Sequence, residues 1–168
     1  MTRHAAILQA ILQLGQCWTD RLHEPYVDWQ VRADTIAEAI DTVARTNEEA
    51  AFLVYMAWHE GKNSLSIHSG DSSRHRGRRC WSLWQICELP NWLDWREPVV
   101  VNTSAESTTE TAMLALHIYL NHRGTGTLVD GIRGYGGYKR WSPTPRRLAG
   151  KIREIERKID AMTSEDVR

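Results

Sequence analysis

The feature that most constrains this chain is the apolar run at residues 50–58, preceded by Thr46-x-x-Glu49. That spacing is a capping box, in which the hydroxyl accepts from the backbone N–H three residues on and the carboxylate reaches back. It predicts a helix from Asn47 to about Glu60 that is apolar nearly all round. Such a helix has no face for water and belongs at the centre of a fold, with other elements packed around it. Nine consecutive apolar residues are far too few to cross a bilayer, so no membrane insertion is expected.

Other helices are expected around it. Ile7, Ile11, Leu14, Trp18 and Leu22 recur at helical spacing over residues 3–22, with Gly15 as a weak point. Thr35-x-x-Glu38 reads as a capping box for a short helix carrying Ile36, Ile40 and Val43, and Ser107-x-x-Glu110 as one for a helix buried along Met113, Leu116 and Leu120. His117 beside that stripe is expected to be partly buried and satisfied by a partner. Residues 62–79, rich in Ser, Gly and Arg, suggest a loop or a short hairpin turning near Ser69-Gly70-Asp71. Residues 81–89 read as a short helix stopped by Pro90, and Trp92, Leu93 and Trp95 as one further turn. A glycine-rich stretch from Gly124 to Gly137 surrounds a helix of one or two turns. Thr144 and Pro145 open a last helix running to about Met162. The fold class is therefore all-α, with residues 1–143 as the domain and residues 144–168 as an amphipathic helix and tail.

Composition narrows the function. The 168 residues carry 21 Lys and Arg against 21 Asp and Glu. Zero formal charge argues against a whole-protein grip on nucleic acid or an anionic membrane, and no nucleic-acid partner is expected. Eight Trp and five Tyr against one Phe hint at stacking on sugars or bases, because Phe fills a dry core equally well. Cys17, Cys80 and Cys87 form no CxxC pair, which argues against a zinc ribbon. The default reading is reduced thiols, with a Cys80–Cys87 bridge as the alternative in an oxidising space. His59-Glu60 begins like a zincin motif, but the second His is missing.

Glu60 is the first candidate for chemistry. It continues an apolar face of the central helix, at its end, before Gly61. A carboxyl group held against apolar walls has its acid form favoured, which suits a general acid that protonates a leaving oxygen. Against this stands a solvated carboxylate at a helix end. The second candidate is Trp81-Ser82-Leu83-Trp84-Gln85-Ile86, otherwise a packing segment. The third is Gly134-Tyr135-Gly136-Gly137-Tyr138, otherwise a turn.

In this order the three segments resemble the lysozyme-like superfamily, in particular soluble lytic transglycosylases and goose-type lysozymes. Those families place a glutamate, usually followed by Ser, at the end of a central apolar helix. A Gly-Leu-Met-Gln-Ile-like segment and a Tyr-Asn-Ala-Gly-like segment follow. Here Ala57-Trp58-His59-Glu60-Gly61, Ser82-Leu83-Trp84-Gln85-Ile86 and Tyr135-Gly136-Gly137 stand in those places. The resemblance spans about residues 50–138. Gly61 replaces the Ser, Ser82 the Gly and Trp84 the Met. The third segment lacks Asn, and an Arg-rich insert lengthens the Glu60-to-Gln85 separation.

The resemblance implies a lysozyme-like fold and cleavage of peptidoglycan between N-acetylmuramic acid and N-acetylglucosamine. Glu60 would act as acid and then as base, without cofactor or metal. Gln85 and Ser82 would bind substrate, Tyr135 would orient Glu60 or the acetamido group, and Trp81 and Trp84 would stack on sugar faces. A hydrolase of the inverting kind needs a second carboxylate. Asp71, Asp94 and Asp130 are the nearby candidates, and none forms a pattern with Glu60, so an anhydro product is expected.

The stretch at residues 5–14 is interrupted by Gln9 and Gln13, with no cleavage site after it, so it reads as a helix and not a signal peptide. That suits a phage-derived lysin, cytoplasmic until release, a virion-associated protein acting on the cell wall, or a bacterial protein exported by another route. Two rival readings are a non-catalytic lysozyme-like module that binds glycan or builds an assembly, and a small nucleic-acid binder using Arg74, His75, Arg76, Arg78 and Arg79. Leu148, Ile152, Ile155, Ile159 and Met162 form a short stripe on the last helix. It suits packing on the domain better than contact with a partner helix, because it lasts barely two heptads.

Overall fold

A computed structural model describes residues 1–16, 23–71, 73–75, 78–87 and 101–164, with the backbone alone at 73–75, 78 and 79. Seven helices and a three-stranded antiparallel sheet occupy these residues, in the order α1 (Arg3–Leu14), α2 (Tyr26–Val43), α3 (Asn47–Gly61), α4 (Leu65–His68), β1 (Ser73–His75), β2 (Arg78–Trp81), β3 (Ile86–Cys87), α5 (Ala105–Arg123), α6 (Leu128–Tyr135) and α7 (Thr144–Ser164). The described protein is mostly helical, as the patterning predicts.

The central helix is where the apolar run puts it. Residues 50–57 of α3 are all buried, and α1, α2, α5 and α7 pack against it. Thr46 accepts from the Glu49 N–H. The Glu49 carboxylate reaches one residue further back than a capping box requires and accepts from the Arg45 N–H at 2.7 Å. Leu148, Ile152, Ile155 and Ile159 of α7 join the same core. The stripe therefore packs inward, and α7 shares the core of residues 1–143.

Several boundaries differ from expectation. Helix α1 stops at Leu14, where Gly15 takes φ 74° and donates to the Ile11 carbonyl. The expected continuation through Cys17, Trp18 and Leu22 lies outside the described residues. Helix α2 starts at Tyr26, so Thr35 is an interior residue and not a cap; its hydroxyl donates to the Val31 carbonyl at 3.3 Å. Ser104, not Ser107, caps α5. Met113 is 49% exposed, against expectation, and the buried side carries Ala112, Leu116 and Tyr119. His117 is exposed and bonded to Asn121 at 2.9 Å. Ser/Thr-x-x-Glu spacings recur inside helices; in α5 the earlier hydroxyl, Ser104, has the free backbone N–H groups ahead of it, and α2 starts after Pro25 with no side-chain cap.

Residues 81–87, the described part of the helix expected over 81–89, do not form one. Trp81 ends β2, residues 82–85 make a turn, and Ile86 opens β3. A short apolar run has no period that separates strand from helix. The hairpin expected before it exists, but its register pairs His75 with Arg78, so it does not turn at residues 69–71. Those residues instead follow α4, which Ser64 caps. Cys80 and Cys87 face each other across β2 and β3 and are joined by a disulfide, which overturns the default of reduced thiols. Trp92, Leu93, Asp94 and Trp95 lie outside the described residues, as do the side chains of Arg74, His75, Arg76, Arg78 and Arg79.

Candidate active site

Glu60 is the penultimate residue of α3, and its side chain keeps 28% of its surface in water. The chain leaves the helix through Lys62 and Asn63, both at positive φ. The Asn63 carbonyl accepts from the buried Arg32 guanidinium at 2.8 Å, which ties the exit of the Glu60 helix to α2. Arg32 in turn makes a two-pronged pair with Glu24, at 2.8 and 2.7 Å. Forked guanidinium–carboxylate pairs of this kind fix geometry as well as charge.

The second segment folds over the end of the helix. Ser82 and Gln85 bracket a turn with φ 64° and 48°. Gln85 bonds back to the Ser82 carbonyl through its backbone at 3.0 Å and its side chain at 3.1 Å. The Leu83 backbone lies directly against Gly61. Trp84 is fully buried and donates its indole N–H to the Leu53 carbonyl at 2.9 Å. The expected stacking of Trp84 on sugar therefore does not hold; its ring is an anchor that holds the turn on α3. Ser82 is buried too, 1% exposed, and its hydroxyl accepts from the Trp84 N–H. Trp81 and Gln85 are half-buried.

The third segment arrives from α6. Tyr135 donates its hydroxyl to the Trp84 carbonyl at 2.6 Å, and its ring meets Phe52 edge-on at 5.3 Å. One phenol thus joins the helix, the turn and α6. Burial first, and the charge of Glu60 second, hold the Tyr135 hydroxyl well above the usual tyrosine range. The same two causes, in the same order, raise Tyr138. Both phenols therefore stand within the electrostatic reach of Glu60. All three sequence segments meet on α3: the turn packs on Gly61 and Leu53, and Tyr135 on Phe52.

His59, which the sequence offers only as half of a zincin motif, is a neighbour of Glu60. Its Nε2 is 3.8 Å from Glu60 Oε1, and its ring stacks on Tyr55 at 5.8 Å. Burial, then Lys62 and Arg147, lower its pKa, which favours the neutral ring.

The second-carboxylate candidates separate. Asp130 closes a capping box with Thr127 and pairs with Arg133 at 2.8 Å, so it belongs to α6 and not to a water-holding site. Asp71 follows α4, its N–H bonded to the Ser66 carbonyl at 3.0 Å. Asp94 lies outside the described residues. Among the described residues, no group of three His, Cys, Asp or Glu side chains is arranged to hold a metal ion, and no helix is long and apolar enough to cross a membrane. No family model, curated protein or solved structure matches the chain.

Proposed function

We propose that this protein is a peptidoglycan lytic transglycosylase with a lysozyme-like fold and Glu60 as its acid–base group. The observation that carries the reading is the convergence of Glu60, the Ser82–Gln85 turn and Tyr135 on one buried helix, with the charge of Glu60 felt at Tyr135. In its acid form Glu60 gives a proton to the glycosidic oxygen, the bond from that oxygen to C1 of the muramoyl residue breaks, and the substrate's acetamido group supports the positive charge at C1. The Glu60 carboxylate then takes the proton of the C6 hydroxyl as that oxygen bonds to C1, giving a 1,6-anhydro end. Substrate assistance of this type needs no second carboxylate, which fits the roles found for Asp130.

Tyr135 acts through position. Its hydroxyl is committed to the Trp84 carbonyl, so it holds the turn on α3, the helix that carries Glu60. Trp81 and Gln85 are the residues of the second segment with surface left to meet a sugar.

The test is mass spectrometry of purified sacculi incubated with the protein and with Glu60→Gln. Anhydromuropeptides from the parent and none from the variant are expected. Products with reducing ends alone would make it a hydrolase. A Glu60→Gln variant that cleaves at the parent rate would remove Glu60 from the mechanism. The alternative is a non-catalytic glycan-binding or assembly module, favoured by the burial of Ser82 and Trp84. It predicts sacculus binding without any soluble product.

A further inference from the structure

The charge of this protein is balanced only as a total. Between Asp130 and Glu154 there is no acidic residue, while the same stretch carries seven Lys and Arg. Two of these have acidic partners at its ends, Arg133 with Asp130 at 2.8 Å and Lys151 with Glu154 at 3.3 Å. Lys139, Arg140, Arg146 and Arg147 are all exposed, and among the described residues none of the four is in an ion pair. Trp141 lies among them, 79% exposed, with the Lys139 ammonium 5.3 Å from its ring centroid.

The tract begins where the candidate site ends. Tyr138, which feels the charge of Glu60, directly precedes Lys139, and Arg147 acts electrostatically on Tyr138, His59 and Tyr55. A run of exposed cations whose field reaches the residues around Glu60 attracts and orients an anionic ligand approaching them. Three of the four unpaired cations are Arg, whose planar forks match carboxylates.

We propose that Lys139, Arg140, Arg146 and Arg147 form a docking surface for the free carboxylates of peptidoglycan stem peptides, which aligns the glycan strand with Glu60. The ligand chemistry builds on the cleavage reading given above. An anionic bilayer fits less well. The apolar stripe of α7 is buried in the core, which leaves Trp141 as the exposed ring of the tract and no apolar face to insert. Duplex nucleic acid would need a phosphate-spaced surface with no reason to adjoin the Glu60 carboxylate.

The experiment separates docking from cleavage by using the full chain with Glu60→Gln. Its binding to sacculi is measured by co-sedimentation, beside sacculi whose carboxylates have been amidated with carbodiimide and glycinamide. Arg146→Gln with Arg147→Gln is expected to weaken binding to untreated sacculi about tenfold, since exposed charge contacts are individually modest. Amidation should weaken the unsubstituted tract by a similar factor, and added salt should do the same. Circular dichroism checks that the exposed substitutions leave the fold intact. Equal binding to amidated sacculi, or equal binding by the double variant, overturns the proposal. So does tract-dependent binding to anionic vesicles or duplex DNA without a matching effect on sacculi. The two readings fail separately. Anhydro products with tract-independent binding sink the docking surface alone. Carboxylate-dependent binding with no product from the Glu60 parent sinks the catalysis alone.

Discussion

Gly61 lies so close to Leu83 that a Cβ built on it would sit 2.4 Å from the Leu83 carbonyl oxygen and 2.8 Å from its Cα. Backbone, not a flexible side chain, is in the way. The missing side chain at residue 61 therefore lets the Ser82–Gln85 turn close over the helix that presents Glu60. Gly61→Ala should destabilise the protein by about 1–3 kcal/mol, the usual cost of forcing extra atoms into a packed site. It should also slow product release, because the turn is pushed off the helix end. Urea unfolding and muropeptide release check both. An alanine variant as stable as the parent would show that the turn has room to move.

Tyr135 to Trp84 is the second joint of the site. Tyr135→Phe keeps the ring against Phe52 and removes only the hydroxyl that donates at 2.6 Å. The Trp84 carbonyl loses that donor, at an expected cost of about 1–3 kcal/mol. Cleavage should slow as well, with Glu60 still present. A phenylalanine variant that matches the parent in both unfolding midpoint and product release would show that the hydroxyl neither holds the turn nor positions it.

The Cys80–Cys87 disulfide closes the base of the same turn. β3 is two residues long, so few ladder bonds back it up. Reduction by excess thiol, or replacement of both cysteines by Ala, should lower stability by about 2–3 kcal/mol, the chain-entropy value for so short a loop. The comparison is of denaturant midpoints with and without reductant. A midpoint that ignores the reductant would mean that Trp84 and Tyr135 hold the turn unaided.

The helices with strong periodicity were legible in the sequence. The uniform apolarity of residues 50–58 specifies a central α3 from chemistry alone, and the Leu148–Ile152–Ile155–Ile159 stripe specifies α7. Helix starts were less so, because the same Ser/Thr-x-x-Glu spacing marks a cap at Thr46 and an interior turn at Thr35. At the site, the order of the three segments was readable, but the division of labour was not. Trp84 has a full set of core contacts and a carbonyl for its N–H, facts of tertiary packing that no local pattern encodes. The role of Asp130 was readable in principle, since Thr127-x-x-Asp130 stands just ahead of α6, with Asp in the place where the capping box usually has Glu.

The last prediction concerns acid. His68 is 2% exposed and sits between Thr108 and Arg32. The Thr108 hydroxyl gives its own hydrogen to the Ser104 carbonyl at 2.7 Å, so it must accept from His68 Nε2, at 2.8 Å. That assigns the proton to Nε2 and leaves Nδ1 as an acceptor for Arg32 Nη1, at 3.3 Å. A second proton would have to enter against Arg32. Burial, then the Arg32 charge, bring the His68 pKa down to about 3. The ordinary value, near 6.5, applies in the unfolded chain. Between the two the unfolded state holds a proton that the folded state does not. This contribution to stability is thus complete above about pH 6.5 and is lost progressively as the pH falls toward 3. From about pH 7 to about pH 4.5 the loss through His68 should be on the order of 2–3 kcal/mol. His68→Gln has no such titration. It should be less stable than the parent near neutrality, and the gap should narrow by that amount as the solution is acidified. Urea unfolding of both proteins at the two pH values reads the difference. A gap that stays constant would mean that His68 takes its proton while the protein is still folded, and that the Arg32 contact yields to it.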